Sequence, residues 1–265
     1  MGRFSKLELE DKQTQHVKQE LIEKPEPIEE GYNQDYYLAQ ADECYRKGDY
    51  EKSLRYYSRA LGIDNTLIPA WVGQVKALLE MKEFREAHVW VNKALEIFPG
   101  EAELLAAKAM VYCGLGMIKQ AVGISDLSLE QKVPTAFCWL ARGQVFLCRR
   151  SRNAQFCFDK AIEMTKNDWF MNQQVALAFF DNGQYYKALS YFSEATSTNS
   201  QSPYLWYQIG LCNQKLGFYP KAIKCYQQAL DLDPLYKPAE KAWAKARRTK
   251  WFARLFFWII SPFRR

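Results

Sequence analysis

Apolar residues recur at spacings of three, four and seven through most of the chain, which is the period of one helical face. Small residues recur at a much longer interval. Ser53, Ala87, Ala121, Ala154, Ala188 and Ala222 stand 34, 34, 33, 34 and 34 residues apart, and Ala60, Ala94, Ser128, Ala161, Ala195 and Ala229 repeat those intervals seven residues later. A large side chain lies three residues before the second small one, at Tyr57, Val91, Phe158, Phe192 and Tyr226, with Ser125 the exception. Another precedes the first small residue by three, at Tyr50, Phe84, Ile118, Tyr185 and Tyr219. A bulky side chain facing a methyl group lets two helix backbones approach closely, so each period predicts a packed helix pair. Gly48, Gly116, Gly183 and Gly217 are placed to turn the chain within a pair, since glycine adopts positive φ without strain. Pro99 and Pro234 are placed to stop a second helix.

Six periods tile residues 34–236 as 34–67, 68–101, 102–134, 135–168, 169–202 and 203–236. The fourth departs most. Arg142 stands where a small residue is wanted, Arg149 replaces the turn glycine, and Ser151 replaces the aromatic. Sliding its first helix by one residue would bring Ala141 or Gly143 into the close-contact slot. The loop at 149–153 is basic and is read first as a solvated turn, second as a contact site.

These positions resemble the tetratricopeptide (TPR) family, whose pattern is W-x2-L-G-x2-Y, then A-x3-F, A and P. The sixth unit carries Trp206, Ile209, Gly210, Gly217, Tyr219, Ala222, Tyr226, Ala229 and Pro234, and the second carries Trp71, Phe84, Ala87, Ala94 and Pro99. The resemblance covers 203 of 265 residues. It implies an all-α, right-handed solenoid of six helix-turn-helix repeats with a C-terminal capping helix, and a concave groove lined by the first helix of each pair. It implies nothing about which partner occupies the groove.

The family's ligand positions, carried over residue by residue, fall on Leu38 and Asp42, Val72, Lys76 and Leu79, Ala106 and Met110, Trp139 and Phe146, Gln173, Leu177 and Phe180, and Tyr207, Leu211 and Gln214. The candidate groove is therefore Lys76, Leu79, Met110, Trp139, Phe146, Gln173, Leu177, Phe180, Tyr207, Leu211 and Gln214, apolar and aromatic in its second half. Such a floor suits an extended or helical peptide with hydrophobic anchors. An equal reading makes several of these side chains core between adjacent first helices. Co-chaperone members that grip a carboxylate terminus have Lys, Arg and Asn at places that here mostly hold Leu38, Asp42, Gly73, Glu103 and Ala107, so that clamp is not expected.

The two ends carry no repeat. Residues 1–33 are charged, with Pro25 and Pro27, and read as a mostly disordered arm with a short helix across 10–24 as an option and Phe4 and Leu7 as candidate anchors. Residues 237–250 read as a capping helix. Beyond it, 251–265 crowds Trp251, Phe252, Leu255, Phe256, Phe257, Trp258, Ile259 and Ile260 around Arg254, with Arg264 and Arg265 behind. The net charge of +6 belongs to this end: residues 237–265 hold nine basic groups and one acidic (+8), leaving −2 for residues 1–236. About ten apolar residues fall short of the roughly twenty needed to cross a bilayer. Three fates remain for the segment: docking on a protein or a second copy to make a homo-oligomer, lying on an anionic lipid surface, or folding back on the last repeats. Nucleic acid is not an expected partner, because the basic residues are confined to one tail.

Seven cysteines with no close C-x-x-C pair give neither a disulfide framework nor a zinc site and read as reduced core residues. No apolar stretch of signal-peptide length opens the chain, and Lys6 stands where an N-myristoylation signal wants Ser or Thr. The expected location is cytoplasmic, with the inner face of a membrane as the further option. No phosphate-cradling glycine loop, metal-spaced cluster or nucleophile with a base is legible, and His16 and His88 read as surface residues. The sequence thus predicts a non-enzymatic scaffold without cofactor or metal that binds a protein or peptide, with a membrane-peripheral adaptor as the alternative.

Overall fold

The computed structural model describes the backbone of residues 32–260 and the side chains of residues 32–248. The arm at 1–31, with Phe4, Leu7 and His16, lies outside the described residues, as do the side chains of Trp251 through Ile260. The described residues form thirteen helices and no strand: α1 (Gln34–Arg46), α2 (Tyr50–Ile63), α3 (Ile68–Glu80), α4 (Phe84–Ile97), α5 (Ala102–Gly114), α6 (Ile118–Leu129), α7 (Ala136–Cys148), α8 (Ala154–Met164), α9 (Trp169–Asp181), α10 (Tyr185–Thr198), α11 (Pro203–Lys215), α12 (Tyr219–Leu232) and α13 (Lys237–Ile260). The chain divides into two compact units, Met1–Met117 and Ile118–Arg265.

The first unit pairs α1 with α2 and α3 with α4, then adds α5. First helices α1, α3 and α5 lie side by side, and each second helix packs on the next first helix. The second unit begins with α6, pairs α7 with α8, α9 with α10 and α11 with α12, and ends with α13 packed on α12 and α11. The division falls within the third period, whose second helix α6 buries only Ala121, Ser125 and Ser128, all small.

Both rows of small residues are buried, as are Tyr57, Val91, Phe158, Phe192 and Tyr226. The close approach they permit is measurable at Gly210, where an added Cβ would lie 2.4 Å from the Tyr226 ring, and at Gly143, where it would lie 2.4 Å from the Phe158 ring. Helix caps follow the sequence: Asn33 accepts the Tyr36 amide (2.9 Å), and Ser202 accepts the Leu205 amide ahead of Pro203 at the first turn. The indoles of Trp71 and Trp206 each donate to a carbonyl six residues upstream, Asn65 and Ser200, at 2.9 Å. That satisfies a half-buried donor and fixes each loop to the helix that follows it.

The fourth period has slipped by one residue in its first helix. Gly143 is the eighth residue of α7 and meets Phe158, just as Gly210, the eighth of α11, meets Tyr226. The slip corrects two sequence expectations. The left-handed turn position belongs to Arg150 (φ 56°) and not to Arg149, in register with Gly48, Gly183 and Gly217 (φ 78°, 72° and 81°) and with Lys82 (φ 63°) in the second period. Trp139 becomes the fourth residue of its helix, the place held by Trp71 in α3 and Trp206 in α11. The second helix keeps its register but loses its first turn: α8 has 11 residues where α2, α4, α10 and α12 have 14. Ser151 starts no helix where the other periods start one with Tyr50, Phe84, Tyr185 or Tyr219.

Arg142 answers another exception. Ser125 leaves a gap where other second helices carry a large residue, and Arg142 reaches across from α7 to fill it. Its guanidinium pairs with Asp126, donates to Ser125 Oγ (2.6 Å) and to the Val122 carbonyl (3.3 Å), and stacks 4.3 Å over Phe146. The slip gives the small-residue slot to Gly143, and Arg142 beside it fills the gap left by a small residue in the opposing large-residue slot.

Candidate partner-binding surface

First helices carry the candidate positions on one face, except in α7, where the slip moves Trp139 and Phe146 one residue off the places expected of them. In the first unit that face is closely packed. Val72, Leu79, Ala106 and Met110 are buried, leaving Leu38, Asp42 and Lys76. Asp42 accepts the Tyr57 hydroxyl at 2.5 Å, and its charge adds to the burial that pushes the Tyr57 phenol far above its ordinary value. Lys76 is half-buried, 5.0 Å from the Tyr45 ring, and burial pulls its ammonium below the usual lysine range against the opposing attraction of Glu103 and Asp42.

In the second unit the face is more open. Gln173 and Leu177 on α9 are buried, while Phe180 on α9 and Tyr207, Leu211 and Gln214 on α11 are half-buried. Phe180 is steadied edge-on by Tyr185 at 5.3 Å. Gln214 Oε1 accepts the Tyr226 hydroxyl at 2.6 Å, so this amide is already oriented by the fold. Tyr207 and Leu211 pack with Ala242 and Trp243 of α13 against Ala222, Tyr226 and Ala246. Tyr207 also lies 5.8 Å edge-on to Tyr236. These two positions therefore serve the junction with the terminal helix as well as the face. Trp139 stands edge-on to Phe156 at 6.1 Å, and Phe146 beneath Arg142. Of the eleven candidates, Leu79, Met110, Gln173 and Leu177 are core-like, and Phe180 on α9 and Gln214 on α11 present the most usable contact surface.

Sequence reasoning marked Ser125 and Arg142 as separate exceptions and missed their pairing with each other and with Asp126, as well as the cavity that opens beside the shortened α8. The signals were present as paired departures from the repeat: Ser125 with Arg142, and Ser151 with the basic run that surrounds it.

Two family models match the chain: "Tetratricopeptide repeat" over residues 45–111 and "Anaphase-promoting complex, cyclosome, subunit 3" over residues 148–229. Hsp70-Hsp90 organizing protein 2 of Arabidopsis thaliana is 25% identical over 204 residues, covering 73% of this chain and 34% of that protein. Superkiller complex protein 3 of Homo sapiens is 27% identical over 154 residues, covering 57% of this chain and 10% of that protein. The chain thus spans about a third or less of the length of these relatives. A solved tetratricopeptide repeat protein from Parabacteroides merdae superposes with a TM-score of 0.50 at 16% identity, covering 83% of this chain and 86% of the other, a likeness of fold.

Proposed function

Since this chain is a tetratricopeptide-repeat protein, we propose that it is a non-catalytic scaffold that holds a polypeptide segment against the first-helix face of its second unit. Proteins of this family act as interaction scaffolds. The observation that carries the finer reading is the half-buried Phe180, with Leu211 and the oriented Gln214 amide on the neighbouring first helix. Apolar anchors together with a fixed amide suit a segment with a hydrophobic side chain and a backbone to hydrogen-bond. A carboxylate terminus is not the proposed ligand of the first unit, because Asp42 and Glu103 both act on Lys76 there.

The test is capture from cell extract by the intact chain and by Phe180→Ala, Gln214→Ala and Val89→Ala variants. Val89 lies on a second helix and is 64% exposed. The same polypeptide should be lost with the first two and retained with the third. Capture unchanged by either of the first two defeats this reading.

A second reading rests on α13, which runs unbroken for 24 residues to Ile260 and so carries residues 251–260 on the same helix as the basic residues of 237–250. Its proposed roles are docking on a protein, including a second copy, or peripheral attachment to an anionic lipid surface at the inner side of a membrane. No described helix is long and apolar enough to cross a membrane. Liposome flotation of the full chain beside a chain ending at Lys250 separates these: equal flotation removes the lipid role.

A further inference from the structure

The shortened second helix of the fourth period leaves a cavity of about 640 Å³ within the second unit, lined among others by Arg150, Ser151, Arg152, Gln155, Gln184 and Lys187. Its origin is legible in the first and fifth periods. There an aromatic opens the second helix and packs on the end of the first: Tyr50 against Tyr45 at 5.3 Å, and Tyr185 against Phe180 at 5.3 Å. Ser151 has no ring to offer, so the space stays open.

Three of the residues lining this space are cationic and none is acidic. Arg150 and Arg152 are exposed, and among the described residues neither forms an ion pair. Lys187 is exposed and stands 5.0 Å over Phe179, whose ring stacks on Tyr191 at 5.5 Å. Gln155 donates to the Tyr191 hydroxyl (2.5 Å) and to Asp159 (2.8 Å), so the nearby carboxylate is engaged along α8 and does not line the cavity. Gln155 and Lys187 lie in the first turns of α8 and α10, neither of which has a side-chain cap, so the adjoining backbone N–H groups add to the positive field. Cations gathered around a concave space with no counter-charge in its wall favour an anionic occupant.

We propose that this cavity is a second docking site, distinct from the first-helix face, and that it takes a glutamate- or aspartate-rich segment of a protein partner. The carboxylates sit among Arg150, Arg152 and Lys187 while the chain of the partner lies in the space that Ser151 leaves. Bidentate pairing by arginine gives this site a preference for carboxylate over other polar groups.

The experiment titrates fluorescein-labelled hexaglutamate with the full chain and follows anisotropy at fixed ionic strength. Three variants accompany it. Arg150→Gly with Arg152→Ser and Lys187→Gln removes the charge, with glycine suited to the left-handed turn. Ser151→Tyr keeps every charge and fills the cavity. Lys237→Gln with Lys241→Gln and Lys245→Gln removes equal charge from α13. Circular dichroism confirms the fold of each. Binding should weaken by about tenfold or more in the first two and by less than about twofold in the third. No binding by the unaltered chain, full binding by Ser151→Tyr, or an equal loss in the α13 variant each overturns the proposal. The Phe180 capture experiment stands apart from all of these outcomes.

Discussion

Arg142 should be the most consequential charged residue in the second unit. Its side chain is 13% exposed and holds Asp126, Ser125 Oγ and the Val122 carbonyl at once, so α6 and α7 are joined by polar contacts where other junctions use a ring. Arg142→Ala removes a charge-assisted network and leaves a hole beside Ser125. Asp126 is 46% exposed and keeps much of its hydration, and Ser125 Oγ still donates to the Val122 carbonyl at 2.9 Å, so little is left stranded. A cost of about 2–3 kcal/mol follows, below the full penalty for orphaning a buried ion. Because unfolding of a repeat array need not be a single two-state step, the suitable assay is hydrogen exchange of the α7 amides, read by mass spectrometry. Exchange should accelerate roughly 25- to 150-fold. Ser125→Phe alone should destabilise by about 1–3 kcal/mol through overpacking against Arg142. The double variant Ser125→Phe with Arg142→Ala should recover more than half of the loss, since the Phe ring takes the space that the guanidinium leaves. Acceleration below about threefold in Arg142→Ala, or a double variant worse than either single one, refutes this reasoning.

Two glycines should respond oppositely to the same change. Gly210→Ala drives a Cβ to 2.4 Å from the Tyr226 ring and should lower the melting temperature by several degrees, whereas Gly123→Ala in α6, with nothing within 4 Å of the new methyl, should raise it through helix propensity. Equal shifts measured by calorimetry would contradict the packing described at Gly210. Burial pushes the Cys212 thiol up to about 12, so at pH 8 its thiolate is on the order of one part in ten thousand. Iodoacetamide at that pH should therefore leave Cys212 unlabelled while modifying half-buried cysteines such as Cys148. The unfolded chain releases this proton near the ordinary thiol value and the folded chain near 12, so Cys212 contributes stability below about pH 8.5 that declines as pH rises across that window. A denaturation midpoint indifferent to pH between 8 and 10.5 in the full chain, yet altered by Cys212→Ala, would tell against that sign.

Period carried much of the fold. Large and small residues at fixed intervals settle which faces meet, because two helix backbones can close only where one side offers a methyl group or less, and the buried rows at 53 to 222 and at 60 to 229 follow from that alone. The fourth period was harder because its first helix and second helix keep different registers. Only the contact of Gly143 with Phe158 shows which of the two has moved, and the positive φ of Arg150 depends on it. The candidate face was partly legible. Helical spacing groups Gln173, Leu177 and Phe180 on one side of α9, yet burial differs among them because neighbouring helices cover the first two and leave the last half open. Tyr207 and Leu211 could not be assigned from spacing either, since their partners Ala242 and Trp243 belong to a helix outside the repeat.

Photo-crosslinking reads directly whether a partner lies on the first-helix face: a benzophenone amino acid is placed at position 180 or at position 89 of the intact chain, irradiated in extract, and the adducts are identified by mass spectrometry. A polypeptide should be joined at position 180 and absent at position 89. Adducts of the same polypeptide at both positions, or at 89 alone, would contradict a partner on that face.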